Sequence, residues 1–279
     1  MCIRDRRHTV QRLNILLNRD SIDAVNFDPA VEESLQRITA PMTTAASYVK
    51  SVEDAIYTHP ELTDDYDAID VYIDTERYTI VPRSVAEDAA AMRDIADSLY
   101  PSERLNIVCT CAEVPPFHGD DGGEAFAAMF IEPALEGFLR RTFVQARIMH
   151  RMVPLTRYFE ACGRLLGNAG KMHIHRRADA VDIIAFDGKG LSMANTFATA
   201  GGDDDAVYYA LAAAKDLGFD ADNDRMMCSG EAALRDRLMA RLKPYVNFVM
   251  PVIFPTTALH LGAEAAQVPF ELLSLTLCE

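Results

Sequence analysis

Residues 171–197 read KMHIHRRADAVDIIAFDGKGLSMANTF, and this stretch decides the fold. Three apolar runs, Lys171–Arg177, Val181–Phe186 and Leu191–Phe197, are separated only by Ala178-Asp179 and by Asp187-Gly188-Lys189-Gly190. Short apolar runs bounded by Asp and Gly read as consecutive antiparallel strands, and an Asp-Gly pair is the stronger of the two turn signals. Asp203–Asp205 then load the start of a helix whose expected inner face is Val207, Leu211, Ala214 and Leu217. A short strand at Arg225–Cys228, a helix at Ala232–Lys243 with Leu234, Leu238 and Leu242 one turn apart, and a strand at Tyr245–Val252 follow. Hairpin, third strand, helix, strand, helix, strand is a ribonuclease-H-like order.

A looser version of that order precedes it. Arg12–Leu17 and Ser21–Phe27 pair as a hairpin around Asn18-Arg19-Asp20. Ala45, Tyr48, Val49, Val52 and Ile56 mark a helix; Pro60–Asp65 reads as a solvated acidic loop, and Ala68–Ile73 as a strand. Arg77–Val81 is a further strand. Ser84 three residues before Glu87 reads as a capping box opening a helix with Val85, Ala89, Met92, Ala96 and Leu99 inward. Strands at Leu105–Cys111, Ala125–Ile131 and Phe143–Met149 alternate with a helix from Pro133 to Arg141 and another from Val153 to Leu166. Gly167 is expected to cap that last helix, and Glu113–Gly123 to form a loop or insertion. The expectation is a mixed α/β, duplicated fold of two lobes, residues 12–167 and 168–279, meeting near Asn168.

Composition bounds the rest. The 279 residues are 49% hydrophobic and 25% charged, which is ordinary globular composition with room for two lobes. A formal charge of −15 disfavours general binding to nucleic acid or to an anionic membrane. No apolar run approaches the roughly 18 residues of a spanning helix, and no secretory signal follows the basic start, so no membrane association and a cytoplasmic location are expected. Residues 1–6 carry no periodicity and read as a possible extension of the chain. The six cysteines are taken as reduced thiols, with Cys109 and Cys111 in an inward row alongside Leu105 and Ile107.

The stretch from His173 to Gly230 resembles an uncharacterised bacterial family, domain of unknown function 3822. The resemblance is carried by His173-Ile-His175, Phe186-Asp187-Gly188, Leu191 with Asn195-Thr-Phe197, Asp205 with Val207-Tyr208-Tyr209, Leu217-Gly218 and Gly230. Thr79-Ile-Val-Pro82, Phe143, His150 and Cys278-Glu279 fit as well, so the likeness runs from Arg12 to Glu279. It implies the architecture of the actin-like ATPase superfamily and no particular activity. In that superfamily two hairpin turns and an adenosine loop hold the nucleotide. Here they would fall on Asn18-Arg19-Asp20-Ser21, on Asp187-Gly188-Lys189-Gly190 and on Ser229-Gly230-Glu231. The first has no glycine, and Glu231 stands where a second glycine is usual, so two of the three loops are eroded.

Each candidate has a plain structural reading beside the functional one. Asp187, Gly188, Lys189, Gly190 and Gly230 are the cofactor-binding candidates if a nucleotide is retained; otherwise Asp187–Gly190 is an ordinary turn. His173 and His175 share a strand face and could hold zinc with Asp179 or Asp182, yet no third ligand is identifiable and structural hydrogen bonding is preferred. Asp203–Asp205 read as helix-start acids rather than a cation site. No metal site or catalytic residue is assigned. Residues 137–177 hold nine bases and one acid, whereas 51–76 hold nine acids and no base. Pairing between the two regions is the favoured reading, with RNA binding through 137–177 the lesser alternative. The expected function is a non-enzymatic actin-like scaffold acting through a protein partner, without a cofactor. An ATP- and Mg²⁺-binding or weakly hydrolysing module is the first alternative, and an RNA-associated accessory protein the second.

Overall fold

The first hairpin forms where Arg12–Leu17 and Ser21–Phe27 flank the polar residues Asn18, Arg19 and Asp20. A computed structural model describes residues 10–43, 45–103, 106–117, 123–165, 172–252 and 256–274. In chain order its strands are β1 Arg12–Leu17, β2 Ser21–Phe27, β3 Gln36–Pro41, β4 Ala68–Ile73, β5 Tyr78–Pro82, β6 Val108–Val114, β7 Ala125–Ile131 and β8 Arg147–His150. They continue with β9 Met172–Arg176, β10 Ala180–Asp187, β11 Gly190–Ala198, β12 Arg225–Gly230 and β13 Phe248–Pro251. The helices are α1 Tyr48–Thr58, α2 Arg83–Ala86, α3 Ala89–Leu99, α4 Pro133–Thr142, α5 Met152–Leu165, α6 Asp203–Asp216, α7 Ala232–Leu242, α8 Thr256–Leu259 and α9 Phe270–Ser274.

Two five-stranded sheets repeat one topology. The first has order β3-β2-β1-β4-β8 and the second β11-β10-β9-β12-β13. In each, three strands run antiparallel as a meander and two more add in parallel to the first strand of the meander. The repeat therefore lives in strand order and direction. A third sheet, β5-β7-β6, lies within the first half. The expected meeting point at Asn168 and the Gly167 cap fall outside the described residues, as do Leu105, Lys171 and Cys278.

Both central sheets are covered on both faces, which is why β1 and β10 read as continuous apolar runs. Leu13, Ile15 and Leu17 face α1 and α4, whereas Leu16 joins a core shared with α5, Ile184 of β10 and the C-terminal segment. That segment follows the second sheet in the chain but packs on the first. Glu33 N donates to His260 O (2.9 Å), Leu35 N to Leu261 O (3.0 Å), and the buried Asn14 Nδ2 to Leu272 O (2.5 Å).

Several local expectations are corrected. Asp88, not Ser84, caps the long helix: its Oδ1 accepts from Ala90 N and Ala91 N, after the short turn α2 has closed. In α3, Met92 and Ala96 are buried but Leu99 is 51% exposed. Pro60–Thr63 is a 3₁₀ turn with Leu62 fully buried, so the acidic stretch is anchored rather than wholly solvated. The strand expected at Phe143–Met149 is only β8, because Gln145 takes a left-handed backbone conformation (φ 65°) between Phe143 and the strand. Cys109 is exposed and Cys111 half-buried, since β6 is the outer strand of its sheet and extends to Val114, into the expected loop. Finally, α6 buries Ala206, Ala210, Ala213 and Ala214, leaving Val207, Leu211 and Leu217 half-buried beside them. Small residues allow the helix axis close to the sheet, and the larger ones pack along its flank.

Leu238 of α7 is fully buried in this outer core. Replacing it by Ala is expected to cost about 2–5 kcal/mol in denaturant unfolding. Enlarging Ala210 by Ala210→Leu should cost about 1–3 kcal/mol through overpacking. An unchanged unfolding midpoint for either would mean the helical faces are misassigned.

Candidate functional site

Because the two sheets share a topology, the β1–β2 turn has a counterpart in the β9–β10 turn, Arg177-Ala178-Asp179. The first is closed by Asn18 N to Ser21 O (2.9 Å) and the second by Arg177 N to Ala180 O (3.0 Å). Both border the space between the sheets. A cleft of about 650 Å³ is lined by Asn18, Arg177, Ser229, Gly230, Phe270 and Glu271 among others. A second, of about 730 Å³, is lined by Arg19, Asp74, Tyr78, Arg177, Asp179 and Thr196 among others. Arg177 belongs to both.

The floor between these clefts is an ion network. Asp74 follows β4, its amide donating to Leu17 O (2.9 Å), and Arg151 follows β8, its amide donating to Ile73 O (3.2 Å). The Arg151 side chain is 1% exposed and reaches Asp74 Oδ1 (2.7 Å), Asp182 Oδ1 (2.5 Å) and Glu271 Oε1 (3.3 Å). Arg177 reaches Asp74 Oδ2 (2.6 Å) and Asp182 Oδ2 (3.5 Å). His175 places Nε2 3.3 Å from Glu271 Oε1 and Nδ1 2.9 Å from Ser229 Oγ. Thr196 Oγ1 donates to Asp182 Oδ1 (2.7 Å) and lies 3.0 Å from the Tyr78 hydroxyl. Three acids and two arginines, with one imidazole, thus join both sheets to α9.

Burial alone would push these carboxyls up, and the cations reverse that. At Asp182, burial is outweighed by Arg151 and Arg177, which hold the group well below the usual carboxylate range. At Glu271, burial is outweighed by His175 and Arg151, which hold it down to about 2. Burial opposes the Arg151 charge, but Asp182, Asp74 and Glu271 more than restore it. A guanidinium stays charged throughout, so it is suited to such a position. Beside the network, burial and the neighbouring Arg151 push His150 down to about 3. Its Nε2 donates to Thr75 O (2.9 Å), its Nδ1 accepts from Met152 N (3.1 Å), and its ring stacks on Tyr78 at 3.9 Å. An imidazolium has no acceptor, so the Met152 bond requires the neutral ring.

The structure does not bring the candidate residues together. Gly230 lines the first cleft. Asp187-Gly188-Lys189-Gly190 lies at the opposite end of β10 from the β9–β10 turn, roughly 20 Å along an extended strand. There Asp187 Oδ1 accepts from Lys189 N (2.7 Å) and Gly190 N (3.1 Å), and Leu191 N donates to Pro116 O (2.7 Å). Both key glycines have packing reasons. A Cβ on Gly230 (φ 109°) would sit 2.0 Å from Arg176 O, and one on Gly190 (φ 150°) 2.3 Å from Pro116 O.

The remaining candidates are engaged structurally. His173 stacks on Phe159 (4.3 Å), and Asp182, opposite His175 across β9 and β10, is paired with Arg151 and Arg177. No group of three or more His, Cys, Asp or Glu side chains placed to hold a metal ion occurs among the described residues. Asp203 pairs with Arg176 and Arg237, Asp204 with Arg241, and Asp205 Oδ2 accepts from Gly201 N (2.6 Å). In the basic region, Arg140 pairs with Glu136, Arg147 with Asp70, and Arg157 donates to Glu113 O. Sequence reasoning passed over Asp74, Arg151, Arg177 and Glu271 as site residues. A signal was present: Asp70 and Asp74 have the same spacing as Arg147 and Arg151, and the two parallel strands align Asp70 with Arg147.

Residues 6–249 match the model of the family described as "Protein of unknown function (DUF3822)", and the chain belongs to that family. No curated protein matches it in sequence. It is similar to a Bacteroides thetaiotaomicron VPI-5482 protein with an actin-like ATPase fold and unknown function, at 20% identity and a TM-score of 0.74 over 100% of both chains. It is also similar to the PilM-PilN type IV pilus biogenesis complex, at 13% identity and a TM-score of 0.55 over 97% of this chain and 99% of that one. The fold is therefore the actin-like ATPase fold. Among the described residues no helix is long and apolar enough to cross a membrane.

The pH dependence follows in sign from these groups. The unfolded chain protonates His150 near 6.5, whereas the folded chain resists until about 3. Its contribution is complete above pH 6.5 and is lost as pH falls toward 3. Glu271, lowered from 4.5 to about 2, loses its contribution over the lower part of that window. Unfolding free energy should therefore fall steadily on acidification from pH 6.5. His150→Gln should flatten the pH 6.5 to 4.5 portion and leave the steeper part below it. A flat wild-type profile over that upper portion would contradict the neutral, buried imidazole.

Proposed function

We propose that this member of the family is a non-catalytic actin-like module that acts as a scaffold for a protein partner, with its cleft held together by its own charges. The observation that carries this reading is the commitment of the cleft carboxylates to arginine. Asp74 gives one oxygen to Arg151 and the other to Arg177, and Asp182 is held by both. A Mg²⁺ ion needs carboxylate oxygens or well-ordered water around it in near-octahedral geometry. Here two guanidiniums, which keep their charge and are tethered to the chain, occupy those oxygens. The first turn supports the same reading, because Asn18, Arg19 and Asp20 put side chains where a phosphate would need close backbone approach.

Nucleotide binding without turnover is the second reading, favoured by the 650 Å³ cleft beside Gly230. RNA binding through 137–177 draws less support, because Arg147, Arg151, Arg176 and Arg177 are already paired with Asp or Glu. A cytoplasmic setting suits the free thiols of Cys109, Cys111, Cys162 and Cys228.

Calorimetric titration with ATP and ADP, with and without Mg²⁺, paired with a phosphate-release assay, tests the proposal. The expected result is no Mg²⁺-dependent binding heat and no phosphate release. Micromolar, Mg²⁺-dependent binding with turnover that Asp74→Asn abolishes, in a variant whose melting curve shows it folded, would overturn it.

A further inference from the structure

Away from the cleft, the outer strand β6 carries two thiols with their sulfurs 3.6 Å apart. Cys109 and Cys111 are two residues apart, so they leave the same face of the strand. Cys109 is exposed, while Cys111 packs against the core under α3. Among the described residues their strand pairs only with β7 in the sheet, with Cys109 opposite Phe130 and Cys111 opposite Ala128. We propose that Cys109 and Cys111 form a reversible dithiol site that closes to an intrastrand disulfide by exchange with a low-molecular-weight disulfide.

Geometry makes closure reachable. Residues two apart on an extended strand have Cα atoms roughly 6.6 Å apart, at the upper end of the range of about 4.4–6.8 Å that disulfides span. The sulfurs must still approach to bonding distance, which requires the strand to pucker at Thr110. An outer strand with one neighbour can do this more readily than an inner one. Exposure of Cys109 gives the incoming disulfide an approach.

The two sulfurs share one hydrogen bond in which either thiol can donate, so the proton on one supports a thiolate on the other. The thiolate attacks one sulfur of RSSR, forming a mixed disulfide Cys–S–S–R and expelling RS⁻. The second cysteine then loses its proton to solvent and attacks the cysteine sulfur of that mixed disulfide. The bond to SR breaks and a second RS⁻ leaves. Two electrons pass from the cysteine pair to RSSR, and the two protons lost by the cysteines balance the two RSH formed.

The site is tested on the full-length protein with oxidised glutathione as the probe, followed by iodoacetamide and trypsin. The tryptic peptide spanning 105–140 contains Cys109 and Cys111 and no other cysteine. The expected product is this peptide lighter by two hydrogen atoms, without alkyl groups, and fully alkylated after prior reduction. Cys109→Ser and Cys111→Ser, checked for native melting curves, should each block the internal bond and retain a single glutathione adduct. Wild-type peptide carrying two glutathione groups, crosslinked to a second copy, or alkylated at both thiols after exposure would each overturn the proposal.

Discussion

The Arg151 guanidinium is the constraint on which the two halves depend. It is almost wholly removed from water and bonded to Asp74, Asp182 and Glu271, which come from the first sheet, the second sheet and the C-terminal helix. Charges placed so deep are costly unless every one is paired, and removing a single partner strands the others. Arg151 therefore ties the end of β4, β10 and α9 together at one point. The apolar core shared by Leu16, Ile184 and Leu272 supplies the attraction between layers. Being non-directional, that attraction does not select one register. The ion network does, together with the hydrogen bonds of Glu33, Leu35 and Asn14 to the C-terminal segment.

The same residues explain why an actin-like cleft need not host a metal-dependent reaction. Two hairpin turns still face the space between the sheets, and Gly230 still borders it. The acids at its floor, however, already have permanent cations. Gly230 is required by the approach of β12 to Arg176 on β9, so its presence does not imply a ligand. Shape and charge are separable properties of a fold.

The sequence made the architecture legible because both sheets begin with strongly patterned hairpins. Strand bounds at Arg12–Leu17, Ser21–Phe27, Ala68–Ile73 and Ala125–Ile131 are read directly from apolar runs and the turns between them. Less legible was whatever depends on three-dimensional proximity. The Asp-Gly signal at Asp187-Gly188 drew attention to the β10–β11 turn, although topology makes Arg177-Ala178-Asp179 the counterpart of the first hairpin turn. On α6, large residues suggested the wrong buried face because periodicity cannot show that alanines are favoured by close approach to a sheet. Cys109 looked like an inward residue, yet its strand lies at a sheet edge. Charge excess in 137–177 and its opposite in 51–76 were visible, but burial of Arg151 was not, since a lone arginine after an apolar strand ordinarily reads as surface.

A double-mutant cycle on Arg151 and Asp182 probes the network at its centre. Urea unfolding at neutral pH would be measured for the wild type, Arg151→Met, Asp182→Asn and the double variant. Arg151→Met alone should lose about 3–5 kcal/mol, because it leaves buried acids without their cation. The double variant should be more stable than the sum of the single losses predicts, by about 0.5–3 kcal/mol. Strict additivity would contradict the account, since it would mean that the two charges do not hold the sheets together through each other.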